Sequence, residues 1–230
     1  MKTVICMKWG DKYSDDDVIR LKTLVSNHLS YENNFICITD KPTEDWHIKF
    51  PTSLDQFYNP NKNFFWAYRK IYMMLDHHLP GDEFLFLDLD MEIHNSIDWL
   101  FKLDMKKPWI VKGYWNDPNV VKANFSKMCS TPINSSVIRW NSGQLSAISR
   151  HVHNNTETIF FTYPSLDNYL NHHWYDIWNE DKSFFNVFPE GKIYSWYKGN
   201  IWPNDVDKEK LRAYQSICLF NGGPVVSVYT

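Results

Sequence analysis

The N-terminal part of the sequence alternates short apolar runs with an amphipathic segment, and this order limits the fold more than any other feature. Residues 3–7 and 35–38 predict two buried strands, and residues 15–28 between them predict a helix. Ser14 is the predicted N-cap of that helix, whose acidic first turn suits the positive end of the helix dipole. A strand, a helix and a second strand in this order predict a parallel pair of strands.

The same alternation continues along the chain. A helix is predicted over residues 65–79, closed by Pro80 and Gly81, and a central strand over residues 83–87. Further strands and helices are then predicted over residues 109–112, 136–140, 142–149 and 165–174, followed by a loop-rich C-terminal part. The pattern predicts one α/β domain over residues 1–230, with an open, mixed and mainly parallel sheet flanked by helices. In such folds ligands bind beyond the carboxyl ends of the strands.

Composition excludes several classes of function. With 230 residues and a net charge of -3, the chain is large enough for one core and has no basic field for DNA or RNA. Neither a signal peptide nor an apolar stretch long enough to span a bilayer is seen, which predicts a cytoplasmic protein. The four cysteines stand alone and are expected to be reduced: Cys6, Cys37, Cys129 and Cys218. Oligomeric state stays open.

Two carboxylates follow the predicted central strand. Asp88 and Asp90 are separated by one residue, so in extended chain both side chains point to one face. Two carboxylates about 4 Å apart repel by about 4 kcal/mol at an effective dielectric constant near 20, so such a pair shares a proton or binds a cation. Mg²⁺ or Mn²⁺ is the natural partner for oxygen ligands. On spacing alone, two aspartates that cap a solvated strand end are an equal alternative.

The other strands bring polar and aromatic residues to the same predicted edge. Trp9 and Tyr13 follow the first strand, where a ring can stack on a nucleotide base, and Asp40 ends the second strand. Lys70, on the helix before the central strand, can supply positive charge to an anionic ligand, although a solvated basic face is the alternative. The sequence therefore predicts a nucleotide and metal site at this edge.

Eight short segments in order resemble GT-A-fold glycosyltransferases of the family 8 type, in particular a compact group of bacterial and phage enzymes. They are MKWG at 7–10 with Tyr13, FICITD at 35–40, YRK at 68–70, LDLD at 87–90, NSSV at 134–137, LDN at 166–168, PEG at 189–191 and FNG at 220–222. The resemblance implies transfer of a hexose, glucose or galactose, from a UDP-sugar to a hydroxyl group of a carbohydrate or another acceptor. It implies retention of configuration, Mn²⁺ or Mg²⁺ as cofactor, a nucleotide-binding half at 1–112, and a half for donor sugar and acceptor at 113–230.

The resemblance also assigns roles to residues on the nucleotide side. Trp9, Tyr13 and Asp40 would surround the uridine. Asp88, with Leu89 and Asp90, would bind the metal and the ribose-diphosphate.

On the sugar side, the resemblance implies that Lys70 contacts the donor as a catalytic residue. Asp167, the second implied catalytic residue, would read sugar hydroxyls near the reacting carbon together with Asn168, and would be the general base if the enzyme inverts. The segment expected to line the donor-sugar pocket consists of Asn134, Ser135 and Ser136.

Two departures from the family concern charge and metal ligation. Asn221 stands where the family has a histidine ligand, so the implied ligand set is Asp88, Asp90 and Asn221. A Lys-Pro-His stretch of the family has no counterpart, and Lys198 is expected to provide positive charge near the diphosphate. The variable loops at 51–63 and 114–130 are expected to build the acceptor site.

Two other functions remain as alternatives. The strand that ends in Asp88 and Asp90 also resembles the nucleophile strand of haloacid-dehalogenase-type phosphohydrolases, although that family has a Gly-Thr pair where this chain has Met91 and Glu92. A non-catalytic sugar-binding module is compatible with the aromatic content of 17%. The paired histidines do not complete a zinc site by their spacing.

Overall fold

A computed structural model describes residues 1–51, 65–116, 118–123, 131–196 and 215–221. Lys198, Cys129 and large parts of the two expected acceptor loops lie outside these residues. The strands are β1 (Lys2–Lys8), β2 (Asn33–Thr39), β3 (His47–Lys49), β4 (Glu83–Leu87), β5 (Met91–Ile93), β6 (Trp109–Lys112), β7 (Ile133–Asn141), β8 (Asn186–Val187), β9 (Ile193–Ser195) and β10 (Ile217–Leu219). The α-helices are α1 (Asp15–His28), α2 (Ile71–Met74), α3 (Pro118–Ala123), α4 (Ser146–Asn154), α5 (Thr156–Thr162) and α6 (Leu166–Trp174).

The main sheet has seven strands in the order β3-β2-β1-β4-β7-β6-β8. β1 pairs in parallel with both β2 and β4, whereas β7 runs antiparallel to β4 and β6. The interior of β1 is apolar and buried throughout, as expected for a strand with a covered layer on each face. The predicted α/β fold with an open, mixed and mainly parallel sheet is confirmed.

The two halves of the sequence interleave in this sheet. β7 comes from the second half, but it lies between β4 and β6, which both come from the first half. Backbone hydrogen bonds of the sheet therefore join the halves into one domain, because neither half contains a complete set of neighbouring strands.

A second, three-stranded sheet has the order β5-β10-β9. In it Leu219 is paired with Met91, the residue that directly follows Asp90. The strands of this sheet are three residues long and were not predicted, because such short segments carry little local pattern. Their pairing brings the residues after β10 to the end of β4.

Helix α1 has the predicted bounds and the predicted cap. The Ser14 hydroxyl accepts from the Asp17 backbone N–H, and the Asp17 carboxylate accepts from the Ser14 backbone N–H, which completes a capping box. Val18, Leu21 and Val25 form its buried face. In the part of the chain that the structure covers, no helix combines the length and the apolar character that crossing a bilayer requires.

The prediction of one continuous helix over residues 65–79 is wrong. The segment forms a 3-10 helix at Phe65–Lys70, the single turn of α2, and a second 3-10 turn at Asp76–His78. The reason is tertiary: buried Asp76 accepts hydrogen bonds from the Trp140 indole N–H at 3.0 Å and from the Gly143 backbone N–H at 2.9 Å. Helix α4 accordingly begins at Ser146 and not at residue 142, because Gly143 has φ +81° in a turn that Asp76 holds.

Cys6, Cys37 and Cys218 are buried and reduced, in agreement with the expectation from the sequence. Burial raises the pKa of the Cys6 thiol well above its usual value. These three cysteines are therefore packing residues of the two sheets.

Candidate active site

The carboxyl ends of β1, β2 and β4 lie side by side, because β1 is paired in parallel with both neighbours. Trp9, Asp40 and Asp88 follow these three strands. Asp40 is exposed, and its carboxylate accepts a hydrogen bond from the Gly10 backbone N–H at 3.1 Å. Trp9 packs against the core, with the Arg69 guanidinium 5.6 Å from its ring centroid. The strand ends that the sequence placed at one edge are adjacent in the structure.

Asp88 is paired with Lys70. The Lys70 Nζ lies 2.9 Å from both carboxylate oxygens of Asp88 and also donates to the Ser135 carbonyl at 3.0 Å. Burial raises the pKa of Asp88 to about 6; the ammonium of Lys70 opposes this shift, and the carboxylate of Asp90 adds to it. The structure therefore brings Lys70, Asp88 and Asp90 into one charged cluster.

Tyr13 lies close to the two carboxylates. Burial raises the pKa of its phenol, and the negative charges of Asp90 and Asp88 raise it further. Asp90 is only 7% exposed, and its backbone carbonyl accepts a hydrogen bond from the Phe220 N–H at 2.9 Å. The neutral phenol of Tyr13 thus faces the two carboxylates as a hydrogen-bond donor.

Arg20 of helix α1 fixes the backbone that carries the carboxylates. Its guanidinium donates to the Leu89 carbonyl at 2.7 Å, to the Met91 carbonyl at 2.8 Å and to the Glu92 carboxylate at 3.3 Å. Leu89 itself is buried, with its side chain in the core. No pattern in the sequence pointed to Arg20, because it lies on a helix 69 residues before Leu89.

Asn221 follows β10, where the second sheet brings the chain to Asp90. The residue has φ +49°, a left-handed conformation that asparagine tolerates, and it follows Phe220, which is bonded to Asp90. Its side-chain Nδ2 donates to the Ser195 hydroxyl. Its Oδ1 is buried and has no hydrogen-bond partner among the residues that the structure describes.

The donor set at this position fits a hard divalent cation. Two carboxylates and a neutral amide oxygen are ligands of the kind that Mg²⁺ and Mn²⁺ accept, with further positions filled by water and phosphate oxygens. No group of three His, Cys, Asp or Glu side chains with metal-binding geometry occurs within the described ranges. A cation bound by Asp88 and Asp90 would therefore depend on neutral oxygens, and Asn221 Oδ1 is the candidate.

The predicted donor-sugar residues form a second network around Asp167. Its carboxylate accepts from the Asn134 Nδ2 at 3.2 Å and from the Ser135 N–H at 3.0 Å, and the Ser136 N–H donates to the Asn134 Oδ1 at 2.9 Å. Because Ser135 also bonds Lys70 through its carbonyl, this network is continuous with the Lys70–Asp88 pair. The structure thus joins the Lys70–Asp88 pair and the Asp167 network through Ser135.

Asn168 is held as part of a helix cap. Ser165 is the N-cap of α6, and its hydroxyl donates to the Asn168 Oδ1 at 2.6 Å and accepts from the Asn168 backbone N–H at 3.2 Å. Asn168 is only 5% exposed. Any contact of its side chain with a sugar would use the amide that this cap orients.

Neither a protein-family model nor a curated protein matches the sequence. Many solved structures share its fold, and three of them are glycosyltransferases of known kind or source. The galactosyltransferase LgtC, in complex with donor and acceptor sugar analogues, is 14% identical and has a TM-score of 0.61, covering 96% of this chain and 87% of that one. A glycosyltransferase involved in glycosylation of the major capsid of PBCV-1 is 14% identical with a TM-score of 0.58, covering 97% of this chain and 94% of that one. Mouse xyloside xylosyltransferase 1 is 13% identical with a TM-score of 0.58, covering 96% and 98%.

At these identities the similarity concerns the fold. It extends over nearly the whole length of each chain, and it confirms the predicted GT-A-type architecture. The resemblance to family 8 stays a prediction from the sequence segments. This chain therefore has the fold of the three glycosyltransferases.

Proposed function

We propose that this protein is a metal-dependent glycosyltransferase that moves a hexose, glucose or galactose, from a UDP-sugar to a hydroxyl group of an acceptor, with retention of configuration. The observation that carries the proposal is the cluster at the end of β4. There Asp88 and Asp90 form one charged cluster with Lys70, and the chain returns to Asp90 through the Phe220 N–H just before Asn221, whose buried amide oxygen has no partner among the described residues. The fold, shared with a galactosyltransferase bound to donor and acceptor sugar analogues, supports the same reaction class.

Asp88, Asp90 and Asn221 would hold Mn²⁺ or Mg²⁺. When bound, the cation supplies a Lewis acid that neutralises charge on the departing diphosphate. Lys70 adds a fixed positive charge next to Asp88, and because its ammonium is buried and held by Ser135, it needs no reorganisation during the reaction. Lys198 is proposed as a further cation near the diphosphate.

The nucleotide would bind along the ends of β1 and β2, in the half formed by residues 1–112. Trp9 provides a ring for the uracil, and Asp40, held by the Gly10 N–H, provides acceptor oxygens for the base or ribose. Tyr13 can offer its phenolic O–H as a hydrogen-bond donor to the ribose-diphosphate, because burial and the neighbouring carboxylates raise the pKa of the phenol above its usual value. Leu89 would contribute its backbone.

The donor sugar would bind against residues of the half at 113–230. Asp167 accepts two hydrogen bonds from Asn134 and Ser135, which orient its carboxylate for sugar hydroxyls. Ser136 and Asn168 complete this wall. In the proposed reaction the bond between the anomeric carbon and the diphosphate oxygen breaks, and the acceptor oxygen bonds to that carbon on the same face. The hydroxyl proton passes to the departing diphosphate oxygen, while Asp167 touches the sugar and Lys70 the leaving group.

A screen of nucleotide sugars tests the proposal. UDP-glucose, UDP-galactose and the corresponding GDP-sugars are incubated with the protein and Mn²⁺, Mg²⁺ or EDTA, and released nucleotide is measured. The expected result is UDP release that requires the cation, with NMR of a transfer product showing the donor's anomeric configuration. Release of phosphate from an aryl phosphate without turnover of any nucleotide sugar would instead identify a phosphohydrolase.

A further inference from the structure

We propose that the C-terminal end of α6 carries a second carbohydrate-binding site, which takes an oligosaccharide and is separate from the donor site. A pocket of about 530 Å³ opens there, and we call it the aromatic pocket. Four aromatic side chains line it: Trp174, Tyr175, Trp178 and Phe184. Ile177 and polar side chains complete the walls, the latter being His172, His173, Asp176, Lys182 and Ser183. None of the residues proposed for the donor site lines it.

The rings of the pocket are held in place by their neighbours. The Trp174 indole N–H donates to the Tyr169 hydroxyl at 2.9 Å, and its ring meets Phe184 edge to face at 4.9 Å between centroids. Trp178 is 67% exposed, although its backbone is fixed by the Asp176 carboxylate, which accepts from the Trp178 N–H at 2.9 Å. The Trp178 indole borders a concavity that combines further aromatic rings with a few polar groups, a lining typical of ligand sites.

The polar groups of the pocket suit a neutral ligand with many hydroxyl groups. Burial lowers the pKa of His172 and of His173, so both imidazoles are neutral at pH 7 and can donate to and accept from hydroxyls. Asp176 and Lys182 contribute one charge of each sign to the lining, and the Lys122 ammonium lies 5.3 Å from the centroid of the Trp178 ring. Sugar rings present apolar C–H faces to aromatic rings and hydroxyls to such polar groups, and a carbohydrate matches both parts of the lining.

The position on α6 separates this pocket from the donor site. Asp167 lies in the first turn of the helix, whereas Trp174 is its last residue, about 10 Å further along the axis at 1.5 Å per residue. A monosaccharide bound near Asp167 does not extend over that distance. The aromatic pocket is therefore a site of its own, and its occupancy does not depend on the proposed transferase activity. Its volume of about 530 Å³ leaves room for more than one sugar ring.

Binding of defined oligosaccharides tests this inference. Lactose, maltotetraose, cellotetraose and chitotetraose are titrated by calorimetry and by saturation-transfer NMR, in EDTA and without nucleotide, so that the donor site does not contribute. At least one of them is expected to bind. Trp178→Ala should weaken this binding at least about tenfold, because a stacked ring is lost. Phe161→Ala is the matched control: Phe161 is 91% exposed on α5, outside the pocket, and its loss should leave the affinity unchanged.

Two further measurements keep the result decisive. His173→Ala alters another exposed wall residue and should also weaken binding, whereas Asp88→Asn should abolish metal-dependent UDP binding and leave oligosaccharide binding intact. If the wild-type protein binds the oligosaccharide but not UDP, the proposed donor site is refuted and the second site is supported. Absence of binding for all of these sugars, or equal affinities of wild type and Trp178→Ala, would overturn the second site. So would self-association in ultracentrifugation that Trp178→Ala abolishes, since the pocket would then be a protein interface.

Discussion

Ser135 is the residue that connects the two sides of the candidate site. Its backbone N–H bonds Asp167, and its carbonyl and hydroxyl bond Lys70, which in turn pairs with Asp88. A shift of the β7 backbone at Ser135 therefore moves the proposed leaving-group side and the proposed sugar side together. This coupling depends on tertiary contacts between residues up to 65 positions apart, so no local sequence pattern contains it.

Arg20 is expected to control the affinity of the site without touching the ligand. Arg20→Met removes the two hydrogen bonds that hold the Leu89 and Met91 carbonyls, and the carboxylates on either side of Leu89 lose their fixed positions. Metal-dependent UDP binding, measured by calorimetry, should weaken about tenfold or more. Arg20→Lys should recover only part of this loss, because an ammonium lacks the planar fork that reaches two carbonyls.

The matched control for Arg20 is Lys22→Met, which makes a similar change on the same helix. Lys22 lies over the Trp46 ring, 4.1 Å from its centroid, and does not contact the β4–β5 segment. Its replacement should leave the UDP affinity unchanged. Equal affinities for Arg20→Met and wild type would show that the carboxylates need no support from α1.

Asn221 is expected to act as a neutral metal ligand. Asn221→Gly removes the amide oxygen and keeps the positive φ without strain, so Mn²⁺ affinity in the presence of UDP should fall about tenfold. Asn221→Asp keeps an oxygen and adds a negative charge, and it should bind Mn²⁺ at least as tightly as wild type. Manganese titrations followed by electron paramagnetic resonance distinguish these cases, and unchanged Mn²⁺ affinity in the glycine variant would remove Asn221 from the ligand set.

At the scale of elements, one buried carboxylate determines how the segment before β4 folds. Asp76→Ala leaves the buried Trp140 indole N–H and the Gly143 N–H without their acceptor, which should lower the free energy of unfolding by about 3 kcal/mol. Urea unfolding measures this change. Asp82→Ala, which alters a carboxylate with 79% of its side chain exposed, should change the midpoint little. A small effect of Asp76→Ala would mean that the helical turns are set by packing alone.

Elements with strong local signals were predictable, and elements made by distant contacts were not. Helix α1 was predicted with its bounds and its cap, because Ser14 and the aspartates after it are neighbours in sequence. β1, β2 and β4 followed from their apolar runs. β5 and β10 could not be found in the same way, since three residues give no periodicity and their pairing joins positions 91 and 219.

The candidate site also contains some residues that the sequence predicted and others that it did not. The adjacency of Trp9, Asp40 and Asp88 follows from the rule that parallel strands end at one edge, and the sequence alone predicted it. The approach of Asn221 to Asp90 was implied only by the family resemblance, because it depends on the second sheet. Arg20 and the aromatic pocket were missed, since both depend on how helices pack on the sheets.

At the scale of the whole molecule, the interleaved sheet predicts one cooperative unit. Since β7 lies between β4 and β6, the halves at 1–112 and 113–230 cannot separate without breaking the central sheet. Hydrogen exchange of the Ile5 amide in β1 and the Ile138 amide in β7 should therefore report the same free energy of opening, equal to that of global unfolding. A clearly lower value for one of the two strands would show that the halves open independently.

Calorimetry of UDP binding is the decisive test of the proposed donor site at the end of β4. Wild-type protein should bind UDP in the presence of Mn²⁺ and lose at least about tenfold in affinity when EDTA replaces the cation. Asp88→Asn and Asp90→Asn should show the weak, metal-independent binding in both conditions. UDP binding of equal strength with Mn²⁺ and with EDTA would refute a metal-dependent donor site. Binding that both variants retain in full would refute the role of Asp88 and Asp90 in it.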